Sequence, residues 1–142
     1  RTGALCYLFD LLPTLGKLCG VSGPATSEGF DFTAVLRNPA QPARAELFFA
    51  YRQVQRAVRD ERWKLIRYPL VNKTQLFDLQ ADPNEVHNLA EQPVHHAKIA
   101  ELLAMLAQKQ KEFGDDTPLT VENPRPAAWS PPAIPAKKKV AP

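Results

Sequence analysis

Apolar residues recur with two different periods in two regions of this chain. Between Pro93 and Phe113, Ile99, Leu102, Leu103 and Leu106 fall at i, i+3, i+4 and i+7, with Lys98, Glu101, Lys109 and Glu112 on the opposite side. This spacing predicts one long amphipathic helix. Pro93 suits its first position, where a missing N–H removes no helical bond, and Gly114 suits a left-handed end. Upstream the pattern shortens towards strands: AELFFAYR (45–52), VQRAVRD (54–60), RWKLIRY (62–68) and TQLFDL (74–79). The short links between them, Asp60-Glu61 and PLVNK, predict antiparallel neighbours. Period-two alternation sends Trp63 and Leu65 to one face and Ile66 and Tyr68 to the other, so both faces carry apolar groups. The predicted fold is α+β: a four-stranded antiparallel sheet packed by one long C-terminal helix.

A shorter helix is predicted over residues 7–20, YLFDLLPTLGKLCG. Asp10 is its expected N-cap, Pro13 lies in the first turn, and Gly20 closes it. Leu11, Leu15 and Leu18 form its apolar stripe. The Gly-, Ser- and Pro-rich residues that follow read as a loop with one helical turn near Phe32–Leu36. Of the 14 prolines, seven lie in residues 115–142, which excludes a helix or central strand there and predicts an extended surface run with a disordered end, PAKKKVAP.

Composition adds limits rather than an activity. With 142 residues, 44% hydrophobic and 23% charged, the chain fits one ordinary domain or less. A net charge of +3 is too small to point to nucleic acid, and Lys137–Lys139 read as a solvated tail. No apolar run approaches the ~20 residues of a membrane span. The first residue is Arg1, not Met, which suggests a fragment or processed product. Cys6 and Cys19 sit among apolar neighbours and read as buried thiols, with a disulfide as the alternative in an exported protein.

Candidate chemistry concentrates in QLFDLQADPNEVHNLA, residues 75–90. Asp78, Asp82, Glu85 and Glu91 lie around His87, with no Lys or Arg among them. A hard cation would want six or more oxygen ligands, and this loop lacks glycine. Asp82-Pro83-Asn84 is instead expected to be a structural corner, with Asn84 tolerant of unusual backbone angles and Asn88 bracing the next segment. His95 and His96 are adjacent and diverge on a helix, so they cannot share one ion. Nucleophile elbows, phosphate-cradling glycine loops and HExxH are absent from the sequence.

The same stretch resembles the LYDL–DP–E–NLA signature near the C-terminus of the sulfatase family, in the alkaline-phosphatase-like superfamily. YLFDLLPTLGKLCGVSGP resembles the DLLPTLLDLAG helix that follows the catalytic core, and FDFTAVLRNP the segment after it. RAVRDERWKLIRY resembles the RAVR–GRYKYI–Y hairpin, and KQKEFGDDTPLTVENPRPAAW the closing stretch of many bacterial members. The resemblance implies the C-terminal portion of a sulfuric ester hydrolase acting on aryl, choline or sugar sulfates or on sulfamates. It divides the chain into the end of the catalytic domain (1–40), the C-terminal subdomain (41–114) and a Pro-rich tail (115–142). It further implies an exported parent, a formylglycine made in CxPxR or SxPxR, and a calcium ion, all supplied upstream. Cys6 is followed by Tyr-Leu-Phe and Cys19 by Gly-Val-Ser, so no catalytic or metal residue is carried onto this sequence. The implied partners are the catalytic domain of the same parent chain and a sulfated small molecule or glycan. Tyr51 and Arg52, after the aromatic strand, are the candidate substrate-binding pair, because an arginine fork suits sulfate. The alternative is a stand-alone anion-binding or structural module, using the seven Lys/Arg between Arg44 and Arg67.

Overall fold

The structure, a computed structural model of the chain, describes residues 2–128. The Lys137–Lys139 run and the final PAKKKVAP segment lie outside the described residues. A 3₁₀ turn (Leu8–Asp10) leads into α1 (Leu11–Cys19), followed by α2 (Thr33–Arg37). Strands β1 (Leu47–Tyr51), β2 (Gln55–Arg59), β3 (Trp63–Tyr68) and β4 (Lys73–Asp78) form one antiparallel sheet in chain order. A 3₁₀ turn beginning at Pro93 opens α3 (His96–Glu112). The predicted α+β architecture is therefore present, with each strand within a few residues of its expected limits.

Register aligns Phe48 with Val58, Val58 with Leu65, and Leu65 with Leu76, a continuous apolar row across the sheet. Leu102 and Leu106 of α3 pack on this row, with Ile99, Leu103 and Trp63 at its margin. Leu102 and Leu106 have no exposure, whereas Leu103 is only partly buried, so the anchoring stripe is narrower than the sequence spacing suggested. The opposite face carries a second cluster of Ala57, Ile66 and Phe77, edged by Tyr68 and Leu79.

Both longer helices end in the same way. Gly114 has φ +64°; its N–H donates to Lys111 O, and the next N–H, of Asp115, donates to Gln110 O at 2.8 Å. Gly20 (φ +69°) and Val21 repeat these bonds to Lys17 O and Gly16 O. A left-handed residue costs glycine no Cβ clash, and the paired bonds satisfy the last carbonyls.

Burial ranks the α3 side chains by cost. Leu106→Ala should destabilise the chain by about 2–5 kcal/mol in urea unfolding, since it removes a fully enclosed side chain. Leu103→Ala should cost less than Leu106→Ala. Lys98→Ala should cost about 0–1 kcal/mol, as expected for a solvent-side ion pair with Glu101.

Candidate functional site

The N-terminal helix is turned opposite to an ordinary surface helix. Its polar side faces the protein. Asp10 and Thr14 are nearly inaccessible, while Leu8 is 83% exposed and Leu12, Leu15 and Leu18 are each 55–56% exposed. Thr14 Oγ1 donates to Asp10 O at 2.7 Å and accepts from Phe32 N–H at 3.1 Å. Asp10 is not the side-chain cap of α1 that its position suggested. Its carboxylate instead accepts from the amides of Tyr7 and Phe30 and from one edge of the Arg44 guanidinium, Nη2 and Nε, at 2.6 and 2.8 Å. Arg44 is in turn covered by aromatic rings, 4.3 Å from the Phe30 centroid and 4.7 Å from that of Tyr7. Tyr7 ties this assembly to the sheet, because its hydroxyl accepts from Phe48 N–H and donates to Phe48 O. With its polar groups consumed inside, the helix presents leucines outward, continuous in sequence with exposed Val21 and, across the loop, Phe30. A patch of this kind marks an interaction surface.

Tyr51 and Arg52 sit where β1 turns into β2. Tyr51 is 60% exposed, Arg52 is exposed, and the Arg52 guanidinium lies 5.8 Å from the Tyr51 ring centroid. Arg52 has φ +47°, a left-handed conformation uncommon outside glycine, asparagine and aspartate. Behind this tip lies Arg56, almost wholly buried. It donates to Arg52 O at 2.5 Å, to Gln55 O at 2.9 Å, to both carboxylate oxygens of Asp115, and to Thr117 Oγ1. Sequence reasoning missed this arginine. The signal was the alternation of β2 itself, which puts Arg56 on the same inward face as Val58.

The acidic stretch is built as a corner. Asp78 receives a forked interaction from Arg62, and Glu85 receives Lys64 Nζ at 2.6 Å. Asp82 Oδ2 accepts from His87 N–H at 2.7 Å. Asn88 Oδ1 accepts from Leu76 N–H, and Leu89 N–H donates back to Leu76 O, so this segment covers the free edge of β4. The left-handed residue of the corner is Glu85 (φ +56°), not Asn84. Among the described residues no three His, Cys, Asp or Glu side chains lie together in a way that could hold a metal ion. Cys6 and Cys19 are exposed free thiols, against the expectation of burial. Cys19 ends α1, whose apolar side points outward, and Cys6 lies before that helix begins.

Comparison with known proteins identifies this fold as a sulfatase C-terminal region. The sequence profile of the family described as N-sulphoglucosamine sulphohydrolase, C-terminal, matches residues 2–112. The chain belongs to this family. A Delta 4,5-hexuronate-2-O-sulfatase of Bacteroides thetaiotaomicron is 35% identical over 115 residues, covering 75% of this chain and 24% of that protein. An N-acetylglucosamine-6-O-sulfatase of the same species is 28% identical over 129 residues, covering 82% and 23%. The solved structure of a 2-O GAG sulfatase superposes with a TM-score of 0.64 at 32% identity, covering 75% of this chain and 25% of that one. The chain thus spans about a quarter of the length of the curated relatives it matches.

The buried ion pairs set an acid limit. The Arg56 fork holds the Asp115 carboxyl well below the usual carboxylate range; burial opposes this, and Gln110 and Thr117 reinforce it. At Asp10 burial acts upward, but the Arg44 fork and the Phe30 and Tyr7 amides outweigh it, so the net shift is downward. Carboxyls depressed on folding contribute stability that is fully present above the unfolded value of about 3.9 and lost as pH falls through the folded value. Unfolding midpoints should therefore fall steadily below about pH 4. Asp115→Asn should lower stability at neutral pH and flatten that acid dependence. An unchanged acid slope in this variant would remove Asp115 from the account.

Proposed function

We propose that this chain is the C-terminal portion of a sulfuric ester hydrolase acting on sulfated sugars, and that its α1 surface docks on the catalytic part of the same protein. The observation carrying this is the inverted polarity of α1 and the turn that leads into it: Asp10 and Thr14 are enclosed while Leu8, Leu12, Leu15 and Leu18 face solvent. Such a helix is costly in water and becomes favourable once its leucines are covered. The relatives named above act on sulfated hexuronate and N-acetylglucosamine, which supports a sugar sulfate as the substrate class. In this proposal residues 1–40 close the catalytic domain, 41–114 form the subdomain and 115–142 the tail. Tyr51 and Arg52 then face the substrate, the guanidinium supplying paired donors to a sulfate ester.

Formylglycine and calcium chemistry do not fit the residues present. Neither cysteine has the required CxPxR context, and Asp78, Glu85 and Asp82 are occupied by Arg62, Lys64 and the His87 amide. No catalytic step is therefore derived for this chain. The stand-alone anion-binding alternative loses most of its charge, because Arg44, Arg56, Arg62 and Lys64 are each paired with a carboxylate.

Sulfate release from a 6-O-sulfated N-acetylglucosamine and from a 2-O-sulfated unsaturated uronate should be undetectable with the chain alone. It should be present with the longer protein that carries it. Turnover by the chain alone, surviving substitution of both cysteines, would overturn the proposal. Calcium should leave the thermal midpoint of the chain unchanged; stabilisation lost in Asp82→Ala and Glu85→Ala would make the corner a metal site.

A further inference from the structure

The described residues that follow α3 are tied down at several points between Asp115 and Arg125 although they have no regular structure. Gln110 Nε2 donates to Asp115 Oδ2 and to Thr117 O, at 3.1 and 2.7 Å. Arg67 Nε donates to Leu119 O at 2.6 Å. Asn72, in the β3–β4 link, bonds Val121 in both directions, and Arg125 N–H donates to Leu70 O. These anchors belong to α3, β3 and the β3–β4 link, all parts of the packed sheet-and-helix body. The sequence alone predicted only an extended surface run here.

One side chain connects this segment to the β1–β2 tip. The Arg56 guanidinium spends one edge on Asp115 and Thr117 and its remaining nitrogen on the carbonyls of Arg52 and Gln55. A guanidinium is planar with its donors in a fixed fork, so its orientation on one side sets the position of the acceptors on the other. The acceptor is the carbonyl of the residue whose left-handed conformation gives the tip its shape. Arg56 is enclosed and its donors are occupied, which leaves it unsuited to bind an anion itself. A groove of about 400 Å³ opens between the tip and the segment, lined by Gln53, Leu70, Thr117 and Val121.

Resting on the substrate contact proposed for Arg52, we infer that residues Asp115–Val121 are a positioning strap: acting through Arg56, they hold the β1–β2 tip so that the Arg52 guanidinium is presented to the sulfate ester. Arg56, Asp115 and Thr117 are positioning residues that do not touch the substrate, and they act through Arg52.

The test pairs amide exchange on the chain with kinetics on the longer protein, using a 6-O-sulfated N-acetylglucosamine. The variants are Thr117→Val, Asp115→Asn with Thr117→Val, Arg52→Ala, and the combination of all three changes. In the chain, the strap variants should speed exchange at Val54, whose N–H donates to Tyr51 O, while the amides of Leu102 and Leu106 keep their protection. In the longer protein, Arg52→Ala and the strap pair should each raise KM about tenfold with kcat little changed, the scale of one charge-assisted contact. Their combination should raise KM no further, because the strap works only through Arg52. Additive losses, or an unchanged tip with the strap pair, would overturn the strap. An unchanged KM in Arg52→Ala, with a tip still loosened by the strap pair, would instead overturn the assignment of Arg52, and the strap's role in substrate binding with it. If Asp115→Asn disturbs the Leu102 and Leu106 amides, Thr117→Val alone decides, since it leaves the ion pair intact.

Discussion

Leu102 and Leu106 close one face of the sheet over the row Phe48, Val58, Leu65 and Leu76, and the placement of α3 and of the segment after it depends on that contact. Packing fixes the rotation of α3 against the strands. Gly114 then ends the helix where the Asp115 carboxylate meets Arg56, and Arg56 holds the carbonyl of the β1–β2 tip. An apolar contact between helix and sheet is thus carried through one buried ion pair to an exposed arginine. Breaking such a pair on one side leaves an uncompensated buried charge, which makes it a sensitive joint.

One helix covers one face of a sheet, and the N-terminal region solves a different problem. Asp10, Thr14 and Arg44 satisfy each other and the loop after α1, so no leucine of α1 is needed to hold the helix in place. Those leucines are left for another surface. Membership of a sulfatase C-terminal family, together with coverage of only a quarter of the relatives' length, gives that surface its natural partner in the proposal: the catalytic portion of a longer protein.

Local periodicity made much of this legible. The i, i+3, i+4, i+7 spacing located α3, and strand alternation separated Trp63 and Leu65, which the structure turns to the helix, from Ile66 and Tyr68 on the other face. Turn chemistry identified the corner after β4 and the role of Asn88 as a brace. What stayed hidden was long-range and polar. Asp10 looked like a local cap, but its partner Arg44 is 34 residues away. Arg56 and Asp115 are 59 residues apart, and no spacing rule links them. Cys19 looked buried because its neighbours are apolar, yet α1 buries its polar side instead. Tyr51 and Arg52 were singled out from the sequence as candidates; the strap behind them needed coordinates, because proline content predicts the absence of regular structure and says nothing of where a segment is tied.

The central claim is that the outward leucines of α1 are an interdomain surface. Calorimetric titration of this chain with the separately expressed catalytic portion tests it most directly. The two parts should associate with a negative heat-capacity change, the marker of apolar burial, and Leu12→Glu with Leu15→Glu should strongly weaken that association. Those two side chains are more than half exposed in the chain itself, so the substitution should leave its fold intact. Absence of binding by the unaltered chain, or equal binding by the substituted one, would contradict the account.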